Sequence, residues 1–276
     1  MFSVRDTATS EGTVQTTSTL RSGGPESLVT WESLGRKGRD FTGTGPTVEQ
    51  INEFTGGGAV EPIRVYVGLD TEPTLQGRAD LLLEELKRTG AFDRKVLVVA
   101  TTTGTGFLDP MAVDPVEYMW NGDTAIAGVQ YSFLPSWISL LADQQAVKET
   151  SRTVFNTVHD YWSTLPEDSR PDLYLYGLSL GSYGVESILN SISLVNEPID
   201  GAFMSGPPFV NPLHNEIEGD RDPDSPAWLP AYEDGRTVQF TSSGSEIDEV
   251  MTADWGPTRL VYLQHSSDPV VFFNQA

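Results

Sequence analysis

Short apolar runs alternate along the chain with stretches whose apolar residues recur at helical spacing. The runs have the length and β-branched composition of buried strands, and each helical stretch carries one apolar face. Strands are predicted over residues 63–69, 95–100, 124–130, 173–178, 202–204, 238–241 and 260–263, and helices over 79–86, 114–120, 147–165 and 185–195. Parallel strands need crossover connections, so this alternation predicts an α/β fold with a mainly parallel sheet and helices on both faces. Active sites in such sheets lie at the carboxyl ends of the strands.

The first sixty residues follow a different pattern. Gly, Thr and Ser dominate from Thr7 to Ser27 and again from Gly43 to Gly58, with one small apolar patch around Trp31. This composition predicts an irregular N-terminal arm over residues 1–60, lying on a single domain that spans residues 61–276.

The charge balance narrows the range of partners. The chain has 39 acidic and 17 basic residues, a formal net charge of −22. Such a surface repels phosphate backbones and anionic lipid head groups, so we expect no nucleic-acid partner and no peripheral membrane binding. The lack of cysteine excludes disulfides, thiolate metal sites and thiol nucleophiles. No run approaches the ~20 apolar residues of a membrane-spanning helix, so the chain as given is expected to be soluble.

The segment Gly177-Leu178-Ser179-Leu180-Gly181 matches the G-x-S-x-G pattern of a nucleophile elbow. An elbow needs a strand before the serine, a helix after it and small residues on either side, because the serine adopts a strained positive φ. The run 173–178 supplies the strand and the apolar face from 185 to 195 supplies the helix. The pattern therefore predicts Ser179 as a catalytic nucleophile. A Gly-Ser turn without chemistry is the alternative.

Acyl chemistry at a serine also needs donors for a developing oxyanion. One is expected to be the backbone N–H of Leu180 at the start of the helix. The second is expected from the loop 101–107, which follows an earlier strand and whose glycines allow close backbone approach. We predict the N–H of Gly104 or Thr105 for this role, although the same residues would also serve as an ordinary βα turn.

A serine hydroxyl needs a general base, and the base needs an acid that orients it. The chain has three histidines. His159 is expected on the surface or in a groove of the long helix, and His214 in a loop. His265 directly follows the last strand and precedes Asp268-Pro269. Asp268 fits the acid position better than His265 fits the base, and the order serine, acid, histidine then predicts a base beyond residue 276; His265 is the other candidate for the base. A histidine at a strand end and an Asp-Pro turn are the structural alternatives.

The residues resemble a particular family: the uncharacterised α/β-hydrolase catalytic domains that actinobacterial membrane proteins carry behind an N-terminal transmembrane region. The resemblance covers nearly the whole chain. It rests on the elbow and on SLVTW (27–31), LGRKGR (34–39), PIRVYVGL (62–69), TGAFDR (89–94), QYSFLPSW (130–137), SGPPF (205–209) and LQHSSDP (263–269). It implies an alpha/beta-hydrolase fold and a serine hydrolase scaffold, truncated at both ends. Family members are expected to be membrane-anchored through a transmembrane domain that this chain lacks.

The leading functional hypothesis is a serine-dependent hydrolase or acyltransferase that acts on an ester or related acyl group through an acyl-enzyme. Its substrate would be a small molecule or lipid-like acyl compound, and no cofactor or metal is predicted. Several aromatic residues could line an acyl pocket: Phe107, Phe133, Trp137, Phe209 and Trp228. The alternative is a non-catalytic, hydrolase-like binding or structural module of a membrane protein. Calcium binding by Asp220, Asp222 and Asp224 is a third and weaker reading.

Overall fold

A computed structural model describes residues 6–134, 144–190, 194, 197–244 and 254–272. These residues form a seven-stranded parallel sheet with the order β1-β3-β2-β4-β5-β7-β6. The strands are β1 (Ile63–Val67), β2 (Val96–Thr101), β3 (Thr124–Val129), β4 (Asp172–Leu178), β5 (Gly201–Ser205), β6 (Val238–Thr241) and β7 (Arg259–Leu263). The predicted parallel sheet is confirmed. One feature of its order was not predicted, since β7 lies between β5 and the preceding strand, β6.

Helices cover both faces of the sheet, as predicted. The α-helices are α1 (Gly35–Gly43), α2 (Val48–Thr55), α3 (Leu75–Arg88), α4 (Pro110–Met119), α5 (Gln144–Trp162), α6 (Leu180–Leu189) and α7 (Pro212–Gly219). The strand register defines two faces. Face A carries Tyr66, Ala100, Tyr176, Phe203 and Val261, and face B carries Val65, Val99, Leu175, Ala202 and Leu260.

The two faces are covered to different extents. On face B, α3 packs against β1 and β3, and α6 packs against β2, β4 and β5, with α5 between these two helices. On face A, α1 packs against β1, and α4 packs against β3. None of the described helices lies over the part of face A formed by β4, β5 and β7.

The expected irregular arm over residues 1–60 is partly wrong, because α1 and α2 both form within it. Thr47 caps α2 through a capping box with Gln50, and Gly56 ends the helix in the left-handed conformation at φ 91°. The arm is also bonded to the sheet edge, where Arg64 N donates to Leu20 O at 3.2 Å and Ser22 N donates to Arg64 O at 3.0 Å. Local capping signals therefore outweigh the loop-like composition of this segment.

A second correction concerns His214, which was expected in a loop and lies on α7. Asn211 precedes Pro212, and proline at the first position is favourable for a helix start. The end of the helix expected over 185–195 reaches outside the described residues. Of the helices in the described part of the chain, none is long and apolar enough to cross a membrane.

Candidate active site

Ser179 lies in a sharp bend between β4 and α6. Its backbone has φ 50° and ψ −122°, a conformation that non-glycine residues rarely adopt, and this matches the expectation of a strained elbow. A Cβ at Gly177 would collide with the backbone of Gly181, and a Cβ at Gly181 would collide with the carbonyl oxygen of Thr101. The two glycines of the motif therefore allow the bend to close.

The bend is held by short hydrogen bonds to its backbone. Ser179 N donates to Ser205 O, at the end of β5, at 2.7 Å. Ser182 donates twice to Ser179 O, from its backbone N at 2.8 Å and from Oγ at 2.6 Å. Ser179 is half-buried, and its own Oγ makes no hydrogen bond with any residue in the described part of the chain. The backbone of the bend therefore fixes the position of a hydroxyl that none of the described residues engages.

The predicted oxyanion loop lies beside this bend, because Gly181 packs directly against the carbonyl of Thr101 at the end of β2. The loop is closed by a bond from Gly106 N to Thr103 O at 2.7 Å, and Tyr66 Oη donates to Gly106 O at 2.7 Å. Within the described residues, the N–H groups of Gly104 and Thr105 have no acceptor.

Leu180, the other predicted donor, is the first residue of α6 and is 1% exposed. The first N–H groups of a helix lack intrahelical acceptors, and the N–H of Leu180 has no acceptor among the described residues. The joint use of this N–H and those of Gly104 and Thr105 as an oxyanion site stays a prediction.

Asp268 lies one strand away from the elbow, near the end of β5. A Cβ built on Gly206 would be 3.7 Å from its Oδ2, and its Oδ1 accepts a hydrogen bond from Val270 N at 2.8 Å. His265 is exposed, and its Nδ1 accepts from Ser267, with the hydroxyl at 2.8 Å. His265 makes no hydrogen bond to either Ser179 or Asp268 through its ring. Its role as a base stays a prediction.

The other two histidines are engaged elsewhere. His159 was expected on the surface or in a groove, and this is wrong: it is 2% exposed and packs between the rings of Phe155 and Trp162. His214, expected in a loop, lies on α7 and is 1% exposed, with Nε2 donating to Gln264 Oε1. The ring of neither histidine contacts Ser179.

A buried polar cluster behind the elbow was not predicted from the sequence. Its centre is Glu186 on α6, whose carboxylate accepts from Tyr262 Oη at 2.8 Å, Asn211 Nδ2 at 2.9 Å, Leu213 N at 2.9 Å and His214 N at 3.1 Å. Burial raises the pKa of this carboxyl, against the opposing effect of these bonds. The available signals were a single charge inside an otherwise uncharged helix and the Asn-Pro pair that starts α7.

This cluster reaches the elbow through Asn211. Its Nδ2 also donates to Ser182 Oγ at 3.0 Å, and Ser182 Oγ in turn donates to Ser179 O. The carboxylate of Glu186 meanwhile caps the N-terminus of α7. The elbow, α6 and α7 are therefore tied together by one chain of hydrogen bonds.

The aromatic residues named for an acyl pocket are spread out. Phe107 lies under Lys37, with the ammonium 5.1 Å from the ring centroid, while Trp228 is 38% exposed. Phe133 and Phe209 are half-buried, and Trp137 lies outside the described residues. No group of acidic or histidine side chains in the described residues is arranged to hold a metal ion, and this includes the three aspartates at 220–224.

The chain matches family models of known proteins over most of its length. A model described as the alpha/beta-hydrolase family matches residues 63–276, and a model of the N-terminus of an alpha/beta-hydrolase family matches residues 1–46. No curated protein matches the chain. A similar solved structure is described by the words "LipS and LipT, two metagenome-derived lipolytic enzymes". It is 11% identical, covers 63% of this chain and 85% of that chain, and gives a TM-score of 0.27.

Proposed function

The chain belongs to the alpha/beta-hydrolase family, and on that premise we propose that it is a serine-dependent hydrolase or acyltransferase. The observation that carries the proposal is the positive φ of Ser179 at a tight bend where both flanking glycines exclude a side chain. Keeping a serine in such a conformation costs about 1–3 kcal/mol, which a purely structural turn would avoid by using glycine. The predicted alpha/beta-hydrolase fold is confirmed by the family match and the parallel sheet.

In this proposal, Ser179 Oγ attacks the carbonyl carbon of an ester. Its proton passes to a base and then to the departing alkoxide, which leaves as an alcohol. The N–H groups of Leu180 and of Gly104 or Thr105 hold the negative oxygen of the intermediate. Water or a second alcohol then attacks the acyl-enzyme and releases an acid or a new ester. Asp268 would orient the base, which is His265 after rotation away from Ser267, or a histidine beyond residue 276.

The test is covalent labelling with a fluorophosphonate probe. We expect the probe to label Ser179 and expect Ser179→Ala to abolish the labelling. Ser187→Ala is the matched control, because this serine lies on the same helix and its Oγ donates only to Gly184 O. A wild-type chain that resists the probe, under conditions that label another serine hydrolase, would contradict the proposal.

A second candidate function is a hydrolase-like module that binds an acyl compound or a partner without reacting. It is favoured by the three histidine rings, none of which hydrogen bonds to Ser179 within the described residues. For this module we expect no labelling of Ser179 and ligand binding that survives Ser179→Ala. Membrane association, which the resemblance implies, belongs to either candidate, and fractionation of cells that express the natural gene would test it.

A further inference from the structure

The side-chain amide of Gln130 lies between the loop 101–107 and the N-terminal arm. Gln130 directly follows β3 and is 1% exposed. Its Oε1 accepts a hydrogen bond from Leu69 N at 3.2 Å. Its Nε2 faces three acceptors, which are Thr105 O at 3.3 Å, Ser132 O at 3.2 Å and Asp6 Oδ2 at 3.2 Å. This buried amide therefore connects the predicted oxyanion loop to a residue of the arm.

The orientation of the amide follows from these partners. Its oxygen accepts from a backbone N–H, whereas a flipped amide would place that oxygen against three other acceptors. Gln130 is therefore a donor on the side that faces the loop.

Two consecutive carbonyls of the loop are held by side chains from outside it. Thr105 O accepts from Gln130 Nε2, and Gly106 O accepts from Tyr66 Oη at 2.7 Å. Burial raises the pKa of Tyr66 well above its ordinary value, and the carboxylate of Asp6 adds to this effect, so the hydroxyl remains a donor. The peptide unit between Thr105 and Gly106 is fixed at both ends, because Gly106 N donates to Thr103 O.

The predicted oxyanion donors come directly before these anchored carbonyls. They are the N–H groups of Gly104 and Thr105, which have no acceptor among the described residues. A donor stabilises an oxyanion only when it lies about 2.7–3.1 Å from that oxygen, and a displacement of about 1 Å can cost about a hundredfold in rate. The bonds that hold the loop therefore matter for any reaction that uses these donors.

Two glycines with positive φ allow the close contacts around Gln130. Gly106 has φ 89°, and a Cβ there would collide with Tyr66 Oη and lie 3.0 Å from Gln130 Cγ. Gly35, the first residue of α1, has φ 69°, and a Cβ there would lie 2.6 Å from Asp6 Oδ2 and 2.7 Å from Gln130 Oε1. The loop, α1 and the arm therefore all pack on the same amide.

Asp6 is the residue through which the arm reaches this amide. Its Oδ1 accepts from Arg36 N, in the first turn of α1, at 3.1 Å. The guanidinium of Arg39 is 3% exposed and donates to Asp6 O at 2.7 Å and to Ala8 O at 2.6 Å. The segment that carries Asp6 is thus fastened to α1 through both its backbone and its side chain.

We propose that Gln130 and Tyr66 are positioning residues for the oxyanion donors of the loop 101–107, and that the N-terminal arm, through Asp6, holds Gln130 in place. This inference rests on the function proposed for Ser179, because the donors act in that reaction. It makes the arm part of the reacting unit, although no described residue of the arm hydrogen bonds to Ser179.

Saturation kinetics of fluorophosphonate labelling at Ser179 test the proposal. Gln130→Met keeps the size of the side chain and removes its amide, and Tyr66→Phe removes only a hydroxyl. We expect each to lower the maximal labelling rate constant about tenfold and to leave the half-saturating probe concentration within about twofold, because the loop donors act on the phosphonyl oxygen in the transition state. Asp6→Ala should lower the same rate constant about threefold, since Gln130 keeps its other partners.

Two control variants change similar contacts elsewhere. Gln239→Met makes the same change at another buried glutamine, whose Nε2 donates to Gly235 O at 3.0 Å in the turn before β6. Thr13→Val removes the bond from Thr13 Oγ1 to Asp40 Oδ1 at 3.2 Å, a different contact between the arm and α1. Neither should change the labelling rate constant by more than about twofold, even where it lowers the free energy of unfolding.

Hydrogen exchange of the loop is a second measurement that does not need a reactive serine. The amides of Thr103 and Gly106 are bonded within the loop, to Phe107 O and Thr103 O. Gln130→Met should raise their exchange rates about tenfold, and Gln239→Met should leave them unchanged. Mass spectrometry of peptides that cover residues 101–107 measures these rates.

The two measurements together distinguish failure of this inference from failure of the proposed function. Wild-type labelling rates in Gln130→Met and Tyr66→Phe, an equal loss in Gln239→Met, or unchanged exchange of the loop would overturn the positioning role. An unaltered rate in Asp6→Ala would overturn the part assigned to the arm. If the wild-type chain resists the probe, the function proposed for Ser179 fails, and the exchange rates alone decide whether the loop is anchored as proposed.

Discussion

The two halves of the sheet differ in how they are buried. In β1, β2 and β3 every residue is buried, because helices lie on both faces. In β4, β5 and β7 burial alternates, so that face B is buried while face A is largely half-buried or exposed. Both halves are parallel and similar in strand length. The difference therefore comes from what packs on the strands rather than from the strands themselves.

The two halves of the sheet therefore differ in what they contribute to the protein. The fully covered half resembles the interior of a doubly wound sheet and contributes mainly to stability. The half whose face A is open begins at β4, and the carboxyl end of β4 carries the elbow. The elbow therefore lies where the described helices stop covering face A.

The largest expected effect comes from removing the ion pair that holds α4 over the covered half. The guanidinium of Arg64 is buried against Glu117, at 2.7 Å, and also bonds to Asp114 and to Phe41 O. Arg64→Met leaves the carboxylate of Glu117 buried without its partner, so the free energy of unfolding should fall by about 3–5 kcal/mol in urea. The double variant Arg64→Met with Glu117→Met should recover most of that loss. A single variant that loses less than about 1 kcal/mol would show that this pair does not hold the covered half together.

A smaller effect on the free energy of unfolding is expected when one valine in each half of the sheet is replaced by alanine. Val65 on β1 is fully buried, and Val261 on β7 is half-buried. Val65→Ala should lower the free energy of unfolding by about 2 kcal/mol, whereas Val261→Ala should lower it by less than about 1 kcal/mol, since water already reaches that side chain. Urea unfolding of the two variants measures the difference. Equal losses would mean that the open half is as well packed as the covered half.

Much of this fold could be predicted from the sequence because its strands are short apolar runs. All seven predicted strands are present with small shifts at their ends, such as Ile63–Val67 for the expected 63–69. The insertion of β7 between β5 and β6 could not be predicted, since strand order depends on long-range pairing. The helices in the arm were missed because their signals, such as the Thr47 capping box, are local and weak beside a Gly-rich composition.

Only the part of the candidate site that lies within one short segment of the sequence could be predicted. The elbow at Ser179 follows from the spacing of its glycines, which the collisions of added Cβ atoms explain. The cluster around Glu186 joins residues far apart in the chain, including Tyr262, and no local pattern could bring them together.

The smallest effect concerns the strain at the junction of the two halves. Because Ser179 has a positive φ, Ser179→Gly should be more stable than Ser179→Ala by about 1 kcal/mol. At Ser187, inside α6, the order should reverse, with alanine more stable than glycine by about 1 kcal/mol, because a regular helix penalises glycine. Each pair of variants compares glycine with alanine at one position. The difference in the free energy of unfolding in urea within a pair therefore reports the backbone conformation at that position. Alanine favoured at both positions would mean that the bend at Ser179 is relaxed in solution, and the physical basis for a poised nucleophile would be lost.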